Sequence, residues 1–481
     1  MTDYRNFIGG EWCAAVSGRT FERRNPADQR EAVGRFAASG EQEVRAAVAA
    51  AQAAFPAWRA LAPAKRALVL TRAAAWLDTH AEDCARDLTR EMGKPLALAR
   101  DEIARTAQTL RFYAVEGQTH TGETYPNDDP DMVVYSQREP LGVVVVIAPW
   151  NFPASIPARK IAPALITGNT VVFKPSSDAP LTGVHLAEAL VAGGLPPGVL
   201  NLVTGRAGDV GAALTSAPEV RAVTFTGSTA AGEQIHRTVS LTTRTQMELG
   251  GKNPLIVMED ADLDQAVDLA IKGGFSLTGQ ACTGTSRILV MKQVRAAFLD
   301  KLATKMAGLK IGNGLQPGID LGPLATEKQY QTVLSYLEIG KKEAKLLAGG
   351  RVLTGEGQEN GLFVEPAVFT EVSPEARIAR EEIFGPVLAV IDVDSYQDAI
   401  AKANDTPYGL SAAIATRNPR YVHDFCRDIQ SGTVKVNRTT TGNLTNAPFG
   451  GYKASSSSGF RESGRVGLDF FTQTKTVYRA V

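Results

Sequence analysis

The chain has 481 residues, which exceeds one ordinary hydrophobic core and predicts two or three domains. Its 51 basic and 51 acidic residues leave no net charge, which argues against nucleic acid or an anionic membrane surface as a partner. The four cysteines and five histidines are scattered without CxxC or HxxxH spacing, so we expect neither a disulfide scaffold nor a metal site.

The first predicted elements are helices. An alanine-rich stretch over 42–111 combines high helix propensity with an apolar stripe, and Gly93-Lys94-Pro95 interrupts it. A polar, turn-rich segment over 121–134 follows and joins an extended segment over 132–137.

From residue 142 onward, short apolar strands alternate with helices. Strands are predicted over 143–148, 170–174, 199–203 and 222–225, and helices over 155–166, 182–192 and 210–214. This alternation predicts a parallel sheet flanked by helices, of the doubly wound α/β class. Ligands of such sheets bind at the carboxyl ends of the strands, so a dinucleotide-binding domain fits the pattern.

The alternation starts again after residue 248 and predicts a second α/β domain. Its strands are predicted over 255–258, 286–290, 387–393, 412–414 and 433–436, with a helix over 263–271. An extended segment over 470–478 could pair with the one near 132 or with a neighbouring subunit. We therefore predict a dinucleotide-binding domain (1–120 and 140–249), a catalytic domain (250–465) and a small β oligomerisation element (121–139 and 466–481).

A thiol and a carboxylate stand out as candidate catalytic groups. Cys282 lies in a run of small and polar residues that is poorly suited to burying a thiol, and Glu248 precedes Gly250-Gly251. A thiol can attack a substrate covalently, and a carboxylate can later draw a proton from water. Taken singly, a cysteine is more often a small buried hydrophobe, and a glutamate is more often a solvated surface group.

Polar residues at the predicted strand ends have two interpretations each. Asn151 could donate to a developing oxyanion or cap a turn, and Lys174 could bind ribose or phosphate or be an ordinary surface lysine. Gly227 and Ser228 open a helix after a strand, which suits a phosphate and a plain turn equally. Glu382 could accept from sugar hydroxyls or simply be solvated.

Taken together, seven segments resemble the NAD(P)-dependent aldehyde dehydrogenase superfamily. They fall in the family's order and span nearly the whole chain, so jointly they are highly specific. The segments are Pro149-Trp150-Asn151-Phe152-Pro153, Phe173-Lys174-Pro175-Ser176, Phe225-Thr226-Gly227-Ser228, Glu248-Leu249-Gly250-Gly251-Lys252, Gly279-Gln280-Ala281-Cys282, Glu381-Glu382-Ile383-Phe384-Gly385-Pro386 and Pro448-Phe449-Gly450-Gly451-Tyr452-Lys453.

The resemblance implies a catalytic role for three residues. Cys282 would attack the aldehyde to give a thiohemiacetal, and the Asn151 side chain and the Cys282 N–H would hold the oxyanion. Loss of hydride to the nicotinamide ring would leave a thioester. Glu248 would then activate the hydrolytic water.

The resemblance also implies which residues bind the cofactor. Lys174 and Glu382 would hold the two riboses, with Gln329 a weaker candidate, and Phe384 would limit movement of the nicotinamide. Family members that prefer NAD often carry a glutamate three residues after the motif lysine, whereas this chain has Ser177, so we expect NADP to be accepted, alongside NAD. The full predicted set is Trp150, Lys174, Ser177, Gly227, Ser228, Gln329, Glu382 and Phe384.

Substrate choice depends on Arg159, which matches the arginine that succinate-semialdehyde dehydrogenases use for the far carboxylate. Those enzymes carry a second arginine six residues before the nucleophile, where this chain has Ser276. The pattern around Ser276 and Thr283 looks closer to the 2,5-dioxovalerate (α-ketoglutarate semialdehyde) dehydrogenases. A long stretch over 453–462 also resembles that subgroup and, with Arg438 and Thr439, could shape the substrate entrance.

The predicted function is oxidation of a small acidic semialdehyde, most simply 2,5-dioxovalerate to 2-oxoglutarate. Succinate semialdehyde and broader aliphatic or aromatic aldehydes are the alternatives within the class. Outside the class, one alternative is a catalytically idle binding protein, against which intact Cys282, Glu248, Asn151 and Lys174 argue. The other is an acylating enzyme that uses coenzyme A, and intact Glu248 favours water as the acceptor instead. We expect a cytoplasmic protein, because no apolar leader and no membrane-length apolar run are seen. The extended segments near 132 and 470 make a homodimer or homotetramer the expected assembly.

Overall fold

The computed structural model describes residues 1–457 and 459–481. Ser458, which belongs to the long stretch over 453–462, lies outside the described residues. The chain begins with five strands that the sequence pattern did not predict, because the first three have only two or three residues and the other two are rich in charged residues. They are β1 (Asp3–Tyr4), β2 (Asn6–Ile8), β3 (Glu11–Cys13), β4 (Thr20–Asn25) and β5 (Asp28–Ala37).

Four helices follow, where the alanine-rich pattern predicted them. They are α1 (Glu41–Ala60), α2 (Pro63–Thr79), α3 (Ala81–Met92) and α4 (Leu96–Glu116). Pro63 begins α2 at a position where its missing N–H leaves no bond unmade. Gly93 ends α3 in the left-handed conformation (φ +91°), so the predicted interruption is confirmed and closes a helix in the usual way.

The alternating region has the predicted elements with slightly different bounds. In chain order it contains β6 (Thr124–Tyr125), β7 (Met132–Pro140), β8 (Val143–Ile147), α5 (Ser155–Ile166), β9 (Thr170–Lys174), α6 (Pro180–Ala192), β10 (Leu200–Leu202), α7 (Ala207–Ser216), β11 (Val220–Thr226), α8 (Thr229–Thr238) and β12 (Arg244–Glu248). The four valines of β8 are fully buried, as expected for a strand covered on both faces.

The second half repeats the alternation. It contains β13 (Asn253–Val257), α9 (Leu263–Phe275), β14 (Thr285–Met291), α10 (Arg295–Ala307), α11 (Glu327–Glu343), β15 (Lys345–Gly349), β16 (Ala367–Thr370), α12 (Arg377–Arg380), β17 (Val387–Val393), α13 (Tyr396–Asn404), β18 (Tyr408–Gly409), β19 (Ser411–Ala415), α14 (Pro419–Asp428), β20 (Thr433–Val436), β21 (Tyr452–Lys453) and β22 (Thr472–Ala480). Short 3-10 turns cover Ser276–Gly279 and Arg465–Phe471.

Two seven-stranded sheets organise the molecule, which confirms the predicted α/β class. The first has the order β12-β11-β8-β9-β10-β2-β3, with β12 to β10 parallel and β2 antiparallel to β10. Chain order reverses between β8 and β11, and crevices at such switch points bind ligands beyond the carboxyl ends of the strands. The second sheet has the order β15-β16-β17-β14-β13-β19-β20.

A separate three-stranded sheet, of order β22-β7-β6, joins the two segments predicted to be isolated strands. β22 pairs antiparallel with β7 from Thr472 opposite Pro140 to Ala480 opposite Met132. The predicted start at residue 470 is wrong, because Arg465–Phe471 forms a 3-10 turn before the strand. The exact domain limits stay a prediction. Among the described helices, none combines the length and apolarity that crossing a membrane requires.

Candidate active site

Cys282 lies where two recesses meet. One is a cavity of about 210 Å³ that Arg159, Glu248 and Ser276 also line. The other is a cleft of about 660 Å³ at the carboxyl end of the first sheet, lined by Trp150, Gly227 and Glu382 among others. The sulfur can therefore meet one molecule from the cavity and a second from the cleft. This is the arrangement that a two-substrate reaction on a cysteine requires.

The turn that carries Cys282 is strained. Leu277 and Thr278 have positive φ angles (58° and 55°), which side-chain-bearing residues rarely adopt. Gly279 is also left-handed (φ +70°), and a Cβ there would collide with the backbone of Gly385. Such conformations persist only where the surroundings impose them, and they concentrate at functional sites.

Side-chain amides fasten this turn from both sides. Asn151 Nδ2 donates to the Gln280 carbonyl (2.9 Å). Asn253 Nδ2 donates to the carbonyls of Cys282 and Gly284 (2.8 Å each). The backbone around the sulfur is therefore held by donors from both halves of the chain.

The Cys282 thiol is partly exposed to the recesses but enclosed by protein on its other sides. Burial, with smaller contributions from the carboxylates of Glu382 and Glu248, raises its pKa to about 12. The thiol is therefore protonated at neutral pH, and its proton must be removed when the sulfur attacks.

Asn151 follows β8 and is almost fully buried. Its amide nitrogen carries two hydrogens, and only one is used by the Gln280 carbonyl. The second hydrogen, and the Cys282 N–H, which has no acceptor among the described residues, are available to an oxygen bound beside the sulfur. Asn151 is thus placed as the sequence predicted, and its orientation is fixed.

A buried ion pair supports the turn that contains Asn151. Lys94 Nζ donates to a carboxylate oxygen of Glu102 and to the Asn151 carbonyl (2.7 Å). The other Glu102 oxygen accepts from the N–H groups of Ala154 (2.9 Å) and Ser155 (3.1 Å). Both side chains are almost completely buried. The pair therefore anchors both ends of this turn.

Glu248 ends β12 and faces the cavity that contains the thiol. One of its oxygens accepts from the Ser456 hydroxyl (2.7 Å), and the other has no partner among the described residues. Burial, and then the neighbouring Glu462 carboxylate, raise the pKa of Glu248. Glu462 itself pairs with the buried Lys160 (2.8 Å).

Of the residues predicted for one ribose and the phosphates, Gly227 and Ser228 line the cleft, whereas Lys174 and Ser177 do not. Lys174 ends β9 and donates to the Pro175 carbonyl (3.0 Å), and burial lowers its pKa to about 8. Ser177, three residues on, is half-buried. Ser228 caps α8 by accepting from Ala231 N–H (3.4 Å). These donors fit a dinucleotide. They are the N-terminus of α8, the buried amine of Lys174 and the backbone turn at Gly227.

The other end of the cleft holds the residues predicted near the nicotinamide. Glu382 accepts from Gly251 N–H (3.0 Å), and burial raises its pKa to about 7. Phe384 has a positive φ (55°) and meets Trp150 edge-on, with ring centroids 5.4 Å apart. Gln329 also lines the cleft, and its contact with a ribose stays a prediction, since its amide nitrogen already donates to the carbonyls of Ile383 and Phe384 (2.9 Å each). It positions the Phe384 turn, and only its carbonyl oxygen is left for a ligand.

The substrate-side cavity contains the predicted Arg159, Ser276 and Thr283. Arg159 extends from α5, forms no ion pair with a carboxylate in the part of the chain described, and has a buried Nε without a hydrogen-bond partner. Arg438 and Thr439 do not line this cavity, whose wall in that region is formed by Thr441, Gly442 and Asn443.

Sequence reasoning missed the supporting residues Lys94, Glu102, Lys160, Glu462 and Ser456. Lys94 stands out in the sequence only as part of the helix break Gly93-Lys94-Pro95. Helix formation does not explain a lysine between a helix-ending glycine and a proline, and this was the available signal. The other four carry no local signal, since a charged residue that is buried reads like a surface residue until its partner is known. In 1–457 and 459–481, no cluster of three or more metal-ligating side chains is present.

Known proteins share the sequence pattern and the fold of this chain. The model of the aldehyde dehydrogenase family matches residues 12–477. The α-ketoglutaric semialdehyde dehydrogenase of Bacillus subtilis is 44% identical over 477 residues, covering 99% of this chain and 98% of the relative. The α-ketoglutarate semialdehyde dehydrogenase of Haloferax volcanii is 42% identical over 483 residues, covering 99% of each.

Among solved structures, an NADP-dependent enzyme of Escherichia coli is 37% identical and superposes with a TM-score of 0.95, covering 100% of this chain and 98% of the other. The match therefore includes both sheets and the recesses between them. The chain belongs to the aldehyde dehydrogenase family, and it is an oxidoreductase that acts on aldehydes with NAD or NADP.

Proposed function

We propose that the enzyme oxidises a small acidic semialdehyde, 2,5-dioxovalerate, to the dicarboxylic acid 2-oxoglutarate. The observation that carries this proposal is Arg159, a guanidinium without a carboxylate partner among the described residues, in the cavity that contains Cys282. The buried Nε of Arg159 has no partner among the described residues, and a substrate carboxylate would satisfy the guanidinium bidentately. The cavity volume of about 210 Å³ suits a substrate of a few carbons.

In the first step the Cys282 sulfur forms a bond to the aldehyde carbon, and the carbonyl π electrons move to its oxygen. The free hydrogen of the Asn151 amide and the Cys282 N–H stabilise that oxygen as a thiohemiacetal oxyanion. The thiol must lose its proton to solvent for this attack, which leaves Glu248, one of the carboxylates that line the same cavity, free for the later step.

When bound, NAD or NADP would supply the hydride acceptor that turns the thiohemiacetal into a thioester. The cofactor would lie along the cleft, with Trp150 and Phe384 around the nicotinamide. The residues that would hold it are Lys174, Ser177, Gly227, Ser228 and Glu382. Glu248 then takes a proton from water, whose oxygen adds to the thioester carbon. The carbon–sulfur bond breaks, and the thiolate returns to its resting protonated form.

Two residues favour a keto acid over simple semialdehydes. Ser276 lies in the cavity six residues before Cys282, where a succinate-semialdehyde enzyme would carry a second arginine. A hydroxyl can donate to a keto oxygen next to the carboxylate, and Thr283 lines the same wall. The two relatives named for α-ketoglutarate semialdehyde support this choice. Succinate semialdehyde is the second candidate, because Arg159 alone would bind its carboxylate.

A kinetic panel tests the proposal. Purified enzyme is assayed with 2,5-dioxovalerate, succinate semialdehyde, glutarate semialdehyde and benzaldehyde, each with NAD and NADP. We expect the highest kcat/KM for 2,5-dioxovalerate and measurable turnover with NADP. A higher kcat/KM for benzaldehyde than for all three acids would refute the carboxylate site. A preference for succinate semialdehyde would keep Arg159 in its role and reject the keto-acid assignment.

We infer that the enzyme is a homo-oligomer of the cytoplasm. The sheet of β22, β7 and β6 exposes apolar side chains, with Tyr478 70% and Val133 45% accessible, and β22 has a free edge. Exposed strand edges and apolar faces favour pairing with another subunit. The free cysteines Cys13, Cys84, Cys282 and Cys426 suit a reducing compartment. Light scattering of the wild-type enzyme and of a variant with Tyr478→Asp would test the assembly surface.

A further inference from the structure

The segment Ser455–Ser457 extends the first sheet at its edge. Ser457 N–H donates to the Met247 carbonyl (3.1 Å), and Leu249 N–H donates to the Ser455 carbonyl (2.8 Å). These bonds form an antiparallel bridge on β12 that places Ser456 opposite Glu248. The long stretch that was predicted to shape the substrate entrance therefore contacts the strand that carries the candidate base.

The three serines make different side-chain contacts. The Ser455 hydroxyl oxygen accepts from Gly409 N–H (3.0 Å), and that of Ser457 accepts from Met247 N–H (3.0 Å). Ser456 is the one of the three whose hydroxyl reaches the Glu248 carboxylate (2.7 Å).

The Ser456 hydroxyl has a defined direction. Its oxygen accepts from Gly451 N–H (2.6 Å), which occupies one lone pair. Its hydrogen is then directed to Glu248, because an ionised carboxylate accepts and cannot donate. A neutral donor at this distance stabilises the ionised carboxylate more than the protonated one.

Charged groups surround Glu248 on every packed side. Glu462, which follows the serine segment, disfavours its negative charge, whereas Lys160 on α5 and Arg461 favour it. The Cys282 thiol faces it across the cavity. None of these groups is within hydrogen-bond reach of the carboxylate in the described structure, so the Ser456 hydroxyl is its direct hydrogen-bond donor there.

We propose that Ser456 is a positioning residue for Glu248: it fixes one carboxylate oxygen, favours the ionised form and leaves the other oxygen free to take a proton from water. This inference rests on the proposed role of Glu248 as the base of thioester hydrolysis. It assigns to the serine stretch a function in deacylation, and the substrate contacts remain with Arg159 and its neighbours.

The test compares Ser456→Ala with the matched variant Ser457→Ala, which changes a neighbouring hydroxyl that does not contact the carboxylate. Steady-state kcat and KM are measured between about pH 6 and pH 9, together with the burst of reduced cofactor. In Ser456→Ala the ionised base forms at higher pH, so the acid limb of kcat should move up by about one pH unit. On that limb kcat falls about tenfold, and it approaches the wild-type value at alkaline pH.

Three further readouts separate positioning from a structural effect. The kcat/KM for aldehyde and the rate of the burst should stay at wild-type values, because acylation does not use the Ser456 contact. Ser456→Thr should restore the wild-type pH profile. Ser456→Ala should add nothing to Glu248→Gln, since the carboxylate through which it acts is absent.

Assays with propanal as well as with the semialdehyde separate this inference from the proposed substrate. Turnover of propanal without a preference for acidic semialdehydes would refute the substrate proposal and still give the pH profile of each serine variant. Identical acid limbs for Ser456→Ala and Ser457→Ala would overturn the role of Ser456. An equal loss of kcat at every pH would overturn it too, because a lost donor to an ionised base cannot act independently of pH.

Discussion

Lys94 Nζ lies 2.7 Å from the backbone oxygen of Asn151, so a buried ammonium contacts the residue whose side chain would stabilise the oxyanion. The same ammonium is paired with Glu102, which holds the following N–H groups of the turn. Oxyanion donors act through their fixed placement, because a preorganised dipole needs no rearrangement when charge develops. The Lys94–Glu102 pair supplies that fixation from outside the site.

Replacing Lys94 by Met should therefore lower kcat by about tenfold to a hundredfold, since small displacements of catalytic groups cost that much. Cofactor affinity should change little, because Lys94 does not line the cleft. The single variant also leaves the Glu102 carboxylate buried without its partner, which should lower the free energy of unfolding by about 3–5 kcal/mol. Steady-state kinetics and cofactor titration of Lys94→Met measure both effects.

A double variant and a mutant cycle separate these causes. Lys94→Met with Glu102→Gln removes both charges and should recover most of the stability, while kcat stays low because the Asn151 carbonyl still lacks its donor. In an Asn151→Ala background the Lys94→Met change should have almost no further effect on kcat. Additive effects on kcat would show that Lys94 does not act through Asn151.

The sequence could place the candidate catalytic residues because each lies in a segment with a local signature. The valines of β8 are apolar on both faces, and a strand of that kind belongs inside a parallel sheet. Lys174 ends such a strand, Gly227 follows one directly and Asn151 lies shortly after one, and parallel strands bring their carboxyl ends together. Local pattern therefore placed residues that are far apart in the chain at one edge.

The supporting contacts could not be predicted in this way. Glu248 and Ser456 belong to distant segments, and a run of serines reads as a plain loop whichever strand it joins. Strands β2 and β3 have three residues each, which is too few to show a period, and their place in the first sheet is imposed by tertiary packing. Gln329 is a further case, because the donation of its side chain to the Phe384 turn carries no local signal.

Cys282→Ala should abolish dehydrogenase turnover while binding of NADP persists. No other side chain at the junction of the two recesses offers a nucleophile of comparable reactivity in the part of the chain described. Steady-state rates and fluorescence titration of NADPH provide the measurements. Cys426→Ala is the matched control, because that cysteine is exposed on α14 and should leave turnover unchanged. Substantial residual turnover in Cys282→Ala would remove the sulfur from its role.

Glu248→Gln should release reduced cofactor in a burst of about one equivalent per site and then stall at the thioester. The amide fits the same space and keeps an oxygen near Ser456, but it cannot take a proton from water. Stopped-flow absorbance and mass spectrometry of the quenched protein measure the burst and the acyl adduct on Cys282. A normal steady-state rate without an accumulated adduct would contradict the assignment of the base.

Ser177→Glu should shift the enzyme from NADP toward NAD. The side chain is half-buried three residues after Lys174, where a carboxylate would accept from a ribose hydroxyl and repel a 2′-phosphate. Repulsion of this kind is worth several kcal/mol, so KM for NADP should rise by about a hundredfold, with little change for NAD. Ser177→Ala adds no charge and should retain use of NADP. Equal effects of both variants on the two cofactors would place the 2′-phosphate elsewhere.

Arg159→Ala should lower kcat/KM for acidic semialdehydes far more than for a neutral aldehyde of similar size. The lost charge-assisted bonds to a carboxylate correspond to about 2–3 kcal/mol in kcat/KM, whereas propanal makes no such contact. Arg159→Lys keeps the charge but loses the planar fork, so it should give an intermediate value. Arg105→Ala is a useful comparison, because Arg105 is exposed on the same cavity and should have the smaller effect. An equal loss of kcat/KM for 2,5-dioxovalerate and propanal in Arg159→Ala would mean that this guanidinium supports the fold of the cavity and binds no carboxylate.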